Sequence, residues 1–549
     1  MVISREENSS ITDSIKKIPV KQDAKLLFPS IYTALGMALA YYTYPLLISF
    51  SAGIIILLFI IAFLAVIISF FRVLRSTFST GQLKITAKAG HTIYRIAVIA
   101  VAASVGFTLG IASRRASPGS AETGIPADMV IAVSGKLIED PRSLQSGTGL
   151  GIIELRECSG TGGLRATARG NLTVFFPEES IVRLKNFGRG CEIYTEGVFI
   201  PGVATTGGVN QTASSNTDSK PQSHSGPLFR AASVHITKPA SSLDAFRTKL
   251  RMILLGKIVH DETENTPVWG SLAAALLLGV RDDLSGDLLD AFRSSGCAHI
   301  LALSGMHLAI ISGILAFFLK RPLGIRWASL VGALFIIFYV FVAGSQPSLV
   351  RSAIMYLIGT FMIWGLLKGK SISLLCMAFI IQLLFQGETG TSLSFILSYL
   401  ALAGMLTLGE TIRCILRGRL PQIISGSFSA SFGAFVFTAP IVVFYFGSLY
   451  PIGILAGLLV IPLSSLFMIF ALAALAAGFL PVPLWNIFDI ILTGIYRTME
   501  LIVSAASVVP GIKYSNPLPV AAISIVLWIF AILIKRRDYL HRSSIAAFN

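Results

Sequence analysis

Charge is scarce in this sequence of 549 residues. Asp, Glu, Lys and Arg together make up 13%, where a soluble globular chain carries roughly 25%. That deficit excludes a water-facing surface over most of the molecule. Cysteine is rare too. None of the five (Cys158, Cys191, Cys297, Cys376, Cys414) stands in a CxxC pair or at zinc-site spacing. The seven histidines (His91, His224, His235, His260, His299, His307, His541) form no His-x-His-x-Asp-His cluster. Paired-metal hydrolysis needs such a cluster to hold the attacking water, so no metal is expected, and no other cofactor. A G-x-x-x-x-G-K-[ST] loop is missing as well, which assigns any nucleotide-driven work to another polypeptide. No cleavable leader is expected. The first apolar stretch begins near Phe28 and runs on into further membrane helix without a small-residue cleavage site.

What the sequence does have is apolar length. Hydrophobic residues reach 54%, and mean hydropathy is +0.75. Runs of roughly 18 residues or more recur, each sufficient to cross the hydrocarbon core as a helix. The net charge of +16 has two readings: contact with a polyanion, or the bias of short cytoplasmic loops toward Lys and Arg.

Composition divides the chain. Residues 1–25 read as a polar cytoplasmic tail. Residues 26–112 read as a three-span region: a helical hairpin over 26–71 with a break at Tyr41 to Pro45, a basic cytoplasmic stretch from Arg72 to Arg95, and a span over about 96–112. Residues 113–240 differ. Five β-like runs are separated by Gly, Pro and Asp/Asn: Met129 to Leu137, Gly151 to Leu155, Leu172 to Phe176, Cys191 to Ile200, and Ala232 to Ile236. They predict a small extracytoplasmic β-barrel of the OB type, with a flexible Ser/Thr/Asn/Gly loop from Gly202 to Gly226. Residues 241–297 read as amphipathic interfacial helices. Among these pieces, Leu272 to Val280 and Asp282 to Phe292 are unconvincing as spans. Over 298–535 the candidate spans are 298–319, 327–343, 347–366, 371–386, 391–409, 425–447, 452–479, 484–507 and 517–534, and 536–549 forms a second cytoplasmic tail. Span 484–507 also reads as an interfacial helix. With the β domain outside, the clusters Lys320/Arg321/Arg326, Lys368/Lys370, Arg413/Arg417/Arg419 and Lys535/Arg536/Arg537 all fall on the cytoplasmic side. The fold class is therefore a polytopic α-helical membrane protein with one extracytoplasmic OB-like barrel, both termini cytoplasmic.

Several polar residues stand in apolar surroundings. Ser304, Gly305 and His307 interrupt the first span of the C-terminal region, and such groups usually face a bundle interior or a water-filled cavity. A tight helix crossing with a hydrogen-bonded His is the competing account. Arg351 lies one turn into its span, placed either to meet a phosphate with bidentate geometry or to snorkel to the outer interface. Asp489, Thr493, Arg497 and Glu500 share one helical face; they line a pore, form the wet face of an interfacial helix, or make an internal Arg–Glu pair. Ser394 is a weaker candidate. In the β domain Arg165, Arg169, Arg183, Lys185 and Arg189 are placed to follow phosphates, with Phe175, Phe176, Phe187 and Tyr194 available to stack on bases. Acids nearly balance bases there, and barrel core is the alternative role for the aromatics. Cys158 and Cys191 either form a disulfide in an oxidising compartment or stand as two free thiols.

The run ALLLGVRDDLSGDLLDAFRSSGCAHILALSGMHLAIISGIL, Ala275 to Leu315, resembles the core of the ComEC/Rec2 competence family, in its LLLGxR-type turn at Arg281, its acidic-polar helix and its GCAHILALSGMHL segment. GSQPSLVRSAIMYLIG (Gly344 to Gly359), SLSFILSYLALAGMLTLG (Ser392 to Gly409) and FTAPIVVFYFGSLYPIGILAGLLVIPL (Phe437 to Leu463) are similar to further segments of that family, in the same order. Gln346 stands before Pro347 where the family often has Ser. The resemblance covers nearly all of residues 26–535 and implies an inner-membrane channel that carries single-stranded DNA into the cytoplasm during natural transformation. The candidate path residues, taken together, are Arg281, Ser304, Gly305, His307, Arg351, Ser394, Asp489, Arg497 and Glu500. The implied partners are single-stranded DNA, the lipid bilayer, a soluble ATP-driven helicase or translocase, and a periplasmic or surface DNA receptor. Many members end in a metallo-β-lactamase-like domain; this sequence reads as the form without it, so strand degradation would fall to a separate nuclease. The expectation is a channel and not an enzyme. Two rivals remain: an intramembrane hydrolase with Ser304 as nucleophile and His307 as base, and a transporter of another polymer or a small solute.

Overall fold

The computed structural model describes residues 31–47, 106, 121–144, 147–200, 227–259, 267–365, 369–478, 485–514 and 516–548. The polar tail 1–25, the basic stretch 72–95, most of the third expected span and the Gly202–Gly226 loop lie outside these residues. The chain divides into two units, one of residues 1–108 with 355–381, the other of residues 109–354 with 382–549. In the first, helix α1 (Ile31–Leu47) packs Met37 close to Gly106, where an added Cβ would meet the Met37 carbonyl.

The second unit begins with the β domain. Strands β1 (Val130–Leu137), β3 (Gly149–Gly160), β5 (Asn171–Phe176), β6 (Glu192–Ile200) and β7 (Leu228–Lys238) pair in the order β1-β6-β7-β5-β3, and β3 pairs back onto β1. The sheet therefore closes into a five-stranded barrel, antiparallel throughout except for the parallel pair β5–β7. Short strands β2 (Arg142–Ser143) and β4 (Arg165–Thr167) extend β3 at its two ends. Alternation makes the barrel: along β5 Leu172, Val174 and Phe176 point inward onto Val133, Leu137, Ile153, Ile193 and Phe229. Each expected β run corresponds to one barrel strand. Polar and Gly positions at the ends of β3 had hidden its full length. Helix α2 (Glu178–Phe187) links β5 to β6 and buries Ile181 and Leu184, with acids in its first turn and Lys185 in its last, as the helix dipole favours.

The disulfide does not form: Cys158 and Cys191 are both free and buried. Cys158 pairs across β3–β1 with Val133, whereas the Cys191 carbonyl accepts from Leu137 N–H on the other edge of β1. Two strand spacings, about 10 Å, already exceed the roughly 7 Å limit between bridged Cα atoms. Burial pushes both thiols up to about 11. Because the thiolate is the reactive form, neither should react with iodoacetamide at neutral pH until the barrel unfolds. Mass spectrometry of the native and denatured protein checks this.

After β7 the chain enters helix α3 (Ser242–Val259), then α4 (Gly270–Leu278) and α5 (Gly286–Ser294). Helix α4 corrects the interfacial reading of its segment. Eight of its residues are buried, and it packs in the core with α12 (Gly453–Ala477) and α13 (Trp485–Ser507). Its nine residues are too few to span a bilayer.

Helix α6 (Gly305–Ala343) is continuous over 39 residues except at Gly324 (φ 73°, ψ 166°), just after Pro322. A straight helix of that length would separate its ends by about 58 Å. Yet the Ser348 hydroxyl, beyond the far end, donates to the Leu303 carbonyl, just before the start. The helix must therefore fold back at Gly324 into two antiparallel arms. These arms correspond to the expected spans 298–319 and 327–343, and Lys320, Arg321 and Arg326 sit exposed at the reversal. Helices α7 (Pro347–Trp364) and α8 (Ser371–Phe385) follow, each running from one unit into the other. Helix α9 (Leu393–Gly404) passes through a π-turn (Met405–Gly409) into α10 (Glu410–Leu416), and α11 (Gln422–Phe446) packs against it. The crossing is tight. A Cβ on Gly404 would collide with the Gly433 carbonyl oxygen, so Gly404→Ala should cost about 1–3 kcal/mol, read as a lower thermal midpoint in detergent. Strands β8 (Ser448–Leu449) and β9 (Ile512–Lys513) pair beside the start of α14 (Leu518–Phe548).

Five described helices are long and apolar enough to cross a membrane: α6, α7, the α9–α10 unit Leu393–Leu416, α11 and α12. The chain is a multi-pass helical membrane protein with a small β-barrel.

Candidate functional site

The membrane region brings a small group of polar side chains together where α6 starts and α7 and α9 pass. Ser304 is not inside a span, as the sequence suggested. It is the extended N-cap of α6 (φ −123°, ψ 173°), preceded by a 3₁₀ turn, Ala298–Ile300. Its backbone N–H donates to His307 Nδ1 at 3.0 Å, and its hydroxyl lies 2.9 Å from the same nitrogen. The ring thus caps a helix terminus by reaching back one turn, the part a Glu or Gln plays in a capping box. Accepting from Ser304 N–H leaves Nδ1 unprotonated and puts the ring proton on Nε2. That atom is buried and without a partner among the described residues. His307 itself is fully buried.

Gly305 lets α7 approach this cap. A Cβ there would fall 2.5 Å from Ser352 Oγ and 3.3 Å from Arg351 Nη2. Arg351, only 7% exposed, is buried rather than snorkelling to an interface. Its Nη1 donates to the Ser398 carbonyl at 2.6 Å, and its guanidinium carbon sits 5.8 Å from the Tyr399 ring centroid. No carboxylate pairs with it among the described residues, and Nε has no acceptor. A second bridge runs alongside: the Tyr399 hydroxyl donates to Gln382 Oε1 at 2.8 Å, and Gln382 Nε2 donates to the Pro347 carbonyl at 3.0 Å. Arg351 is therefore a buried cation held by neutral groups. A buried charge of that kind is costly unless an anion joins it.

The other expected path residues stand elsewhere. Ser394 is exposed in the first turn of α9. Asp489 accepts from the buried Trp269 Nε1 at 2.8 Å, tying α13 to the start of α4. Arg497 and Glu500 pair with each other at 2.9 Å across one turn of α13. Arg281 is exposed in the turn after α4. In the barrel, Arg165, Arg169 and Arg183 are exposed and free of salt bridges among the described residues. Lys185 and Arg189 are committed to acids, Lys185 to Asp282 at 2.7 Å and Arg189 to Asp244 at 3.1 Å. Phe176 is barrel core, whereas Phe187 is exposed.

Those two pairs belong to a joint that sequence reasoning missed. Asp140, in the loop after β1, receives Arg247 Nη1 at 3.0 Å, Arg251 Nη1 at 2.8 Å and the Arg189 backbone N–H at 3.2 Å. Arg247 also donates to the Phe341 carbonyl at 2.7 Å, and Arg251 to the Leu278 carbonyl at 3.2 Å. The joint thus ties the barrel to the C-terminal ends of α6 and α4. Burial raises the Asp140 carboxyl. The Arg247 hydrogen bond, the Arg251 and Arg247 charges and the Arg189 N–H outweigh burial and hold it below the usual carboxylate range. Nothing in a lone loop aspartate signals this role. Gln382, an amide alone in an apolar span, did carry a signal.

Residues 276–538 match the family model described as competence protein. That stretch is similar to the competence proteins and covers just under half of the chain. It holds every member of the Arg351 group, the last turn of α4, and α5 through most of α14, while the barrel precedes it. Over 283 residues the chain is 29% identical to ComE operon protein 3 of Bacillus subtilis (strain 168); the alignment takes in 48% of this chain and 34% of that protein. The chain thus spans about a third of the curated relative it matches. No solved structure matches it. The matched residues supply the cap, the buried cation and the tight α9–α11 crossing from a single continuous stretch.

Proposed function

We propose that this protein is an inner-membrane conduit that carries single-stranded DNA into the cytoplasm during natural transformation. The observation that carries the proposal is Arg351: within the stretch that matches the competence proteins, a buried guanidinium in the membrane region has no carboxylate partner among the described residues and is held by neutral groups. A passing phosphodiester supplies the missing charge with fork geometry. The barrel serves as an OB-type domain outside the membrane. Its strand order, the parallel pair β5–β7 and the helix between β5 and β6 support that assignment. The α6 hairpin supports an orientation. Both ends of its hairpin lie near the barrel joint and the Arg351 group, so Lys320, Arg321 and Arg326 occupy the opposite side. Cationic loops favour the cytoplasm, which supports an external barrel; both termini are read as cytoplasmic. A soluble ATP-driven helicase or translocase pulls the strand, a surface or periplasmic receptor delivers it, and a separate nuclease removes its complement.

The hydrolase rival is disfavoured by the cap. His307 Nδ1 already accepts from Ser304 N–H, and among the described residues Nε2 meets no carboxylate that would orient the ring as a base. The deciding experiment follows labelled DNA into the cytoplasm of a strain lacking this protein and of the same strain complemented. Uptake should vanish in the first and return in the second. Undiminished internalisation without the protein overturns the proposal, and hydrolysis by purified protein that depends on Ser304 would favour the rival.

A further inference from the structure

Helix α9 is tied at its middle and pinned at its base. At the middle, Arg351 holds the Ser398 carbonyl, and Gln382 links Tyr399 to Pro347, the first residue of α7. At the base, Gly404 and Gly433 press backbone against backbone, leaving no room for a Cβ on either. Just below Gly404 lies the π-turn Met405–Gly409, with Thr407 Oγ bonded to the Ala403 carbonyl at 2.6 Å. A π-turn carries one surplus residue within an otherwise α-helical run and recurs at functional sites. It gives the helix two hydrogen-bond registers within reach.

The upper tie is a poor resting place for a guanidinium. The Ser398 carbonyl is neutral and already serves the helical ladder. Arg351 Nε–H points at no acceptor among the described residues. A phosphodiester offers anionic oxygens that accept two parallel N–H bonds, roughly twice as strong as neutral ones.

We infer that Arg351 is a phosphodiester-released latch: a strand's phosphate draws the guanidinium off the Ser398 carbonyl, and the freed N-terminal part of α9, from Leu393 through Tyr399, shifts about the pivot at Gly404 and the π-turn to open the path. The ligand comes from the DNA-conduit reading, on which this inference rests. Tyr399 and Gln382 set the force of the latch without contacting the strand. The Gly404–Gly433 contact keeps the pivot fixed while the tip moves.

The test uses the full chain in nanodiscs with Cys414→Ser, and a reporter thiol introduced by Ser398→Cys, which leaves the carbonyl in place. A water-soluble maleimide should label position 398 slowly at rest and severalfold faster with single-stranded oligothymidylate. An uncharged peptide nucleic acid of the same sequence should leave the rate unchanged. Tyr399→Phe and Gln382→Leu should each raise the resting rate without DNA. Deleting Met405, which is exposed and whose loss restores a plain α-helix, should abolish the response. A thermal midpoint establishes that the deletion folds, and if it does not, the Tyr399→Phe arm decides. A labelling rate indifferent both to oligothymidylate and to Tyr399→Phe overturns the latch. Cellular uptake with no change in labelling overturns the latch alone; DNA-dependent labelling in a protein that supports no uptake keeps the latch and rejects the conduit.

Discussion

Asp140→Asn should lower the stability of the folded protein by about 3 kcal/mol, the lower end of what breaking a buried ion pair costs. The substitution strips the counter-charge from two arginines at once. Arg247, with its side chain only 2% exposed, cannot turn to water without abandoning the Phe341 carbonyl. A lower thermal midpoint in detergent reads the loss, and faster proteolysis between the barrel and α3 locates it. The pH dependence has a definite sign. The folded-state carboxyl is depressed, so its contribution is fully present above the unfolded value of about 3.9 and disappears as pH falls through the folded one. The gap between wild type and Asp140→Asn should hold constant near neutrality and close in acid below about pH 4. A gap unchanged at about pH 3, beneath the ordinary carboxylate value, would mean that the carboxylate charge is not what holds the joint.

Arg351→Ala should cut DNA uptake by about 10- to 100-fold, the worth of one or two charge-assisted bonds to a phosphate. Arg351→Lys should fall between, keeping the charge and losing the fork. Stability should move the other way. Removing a buried charge that has no counter-ion is neutral or stabilising when the space is filled, so Arg351→Met should match or exceed the wild-type thermal midpoint while failing in uptake. An arginine kept for packing alone would show the reverse split, with falling stability and uptake tracking only the amount of protein inserted. Radiolabelled uptake, normalised to membrane protein, separates the two.

The architecture was legible where a single periodicity spoke plainly. Alternation in Leu172–Phe176 and continuous apolar length in Gln422–Phe446 and Gly453–Ala477 are both local properties, and barrel strands and spans follow from them. The hairpin in α6 was legible for a different reason: Pro322 and Gly324 break an apolar run beside three basic residues. Pairing across the fold was not legible. Cys158 and Cys191, both in the one soluble region, left a bridge and two free thiols open, and the strand order, with β1 between them, decides for free thiols. Lys185 and Arg189 looked like phosphate contacts because their acids, Asp282 and Asp244, lie far along the chain. Ser304, Gly305, His307 and Arg351 were picked out by the cost of polar groups in lipid. That cost identifies which residues matter and is silent on their geometry; the one-turn cap and the Ser398 carbonyl emerge only from the packed helices.

Helix α4 has a consequence for biogenesis. An apolar segment of nine residues cannot hold itself across a bilayer, and the surfaces that cover it, on α12 and α13, leave the ribosome only after α6 to α11 have been made. Until they arrive, Leu272, Leu276 and their neighbours have no protein partner from that side. Enclosure of α4, begun by α3 and α6, is therefore completed only by the C-terminal helices, and a chain interrupted before Gly453 would present quality-control proteases with an apolar plug still open on one side.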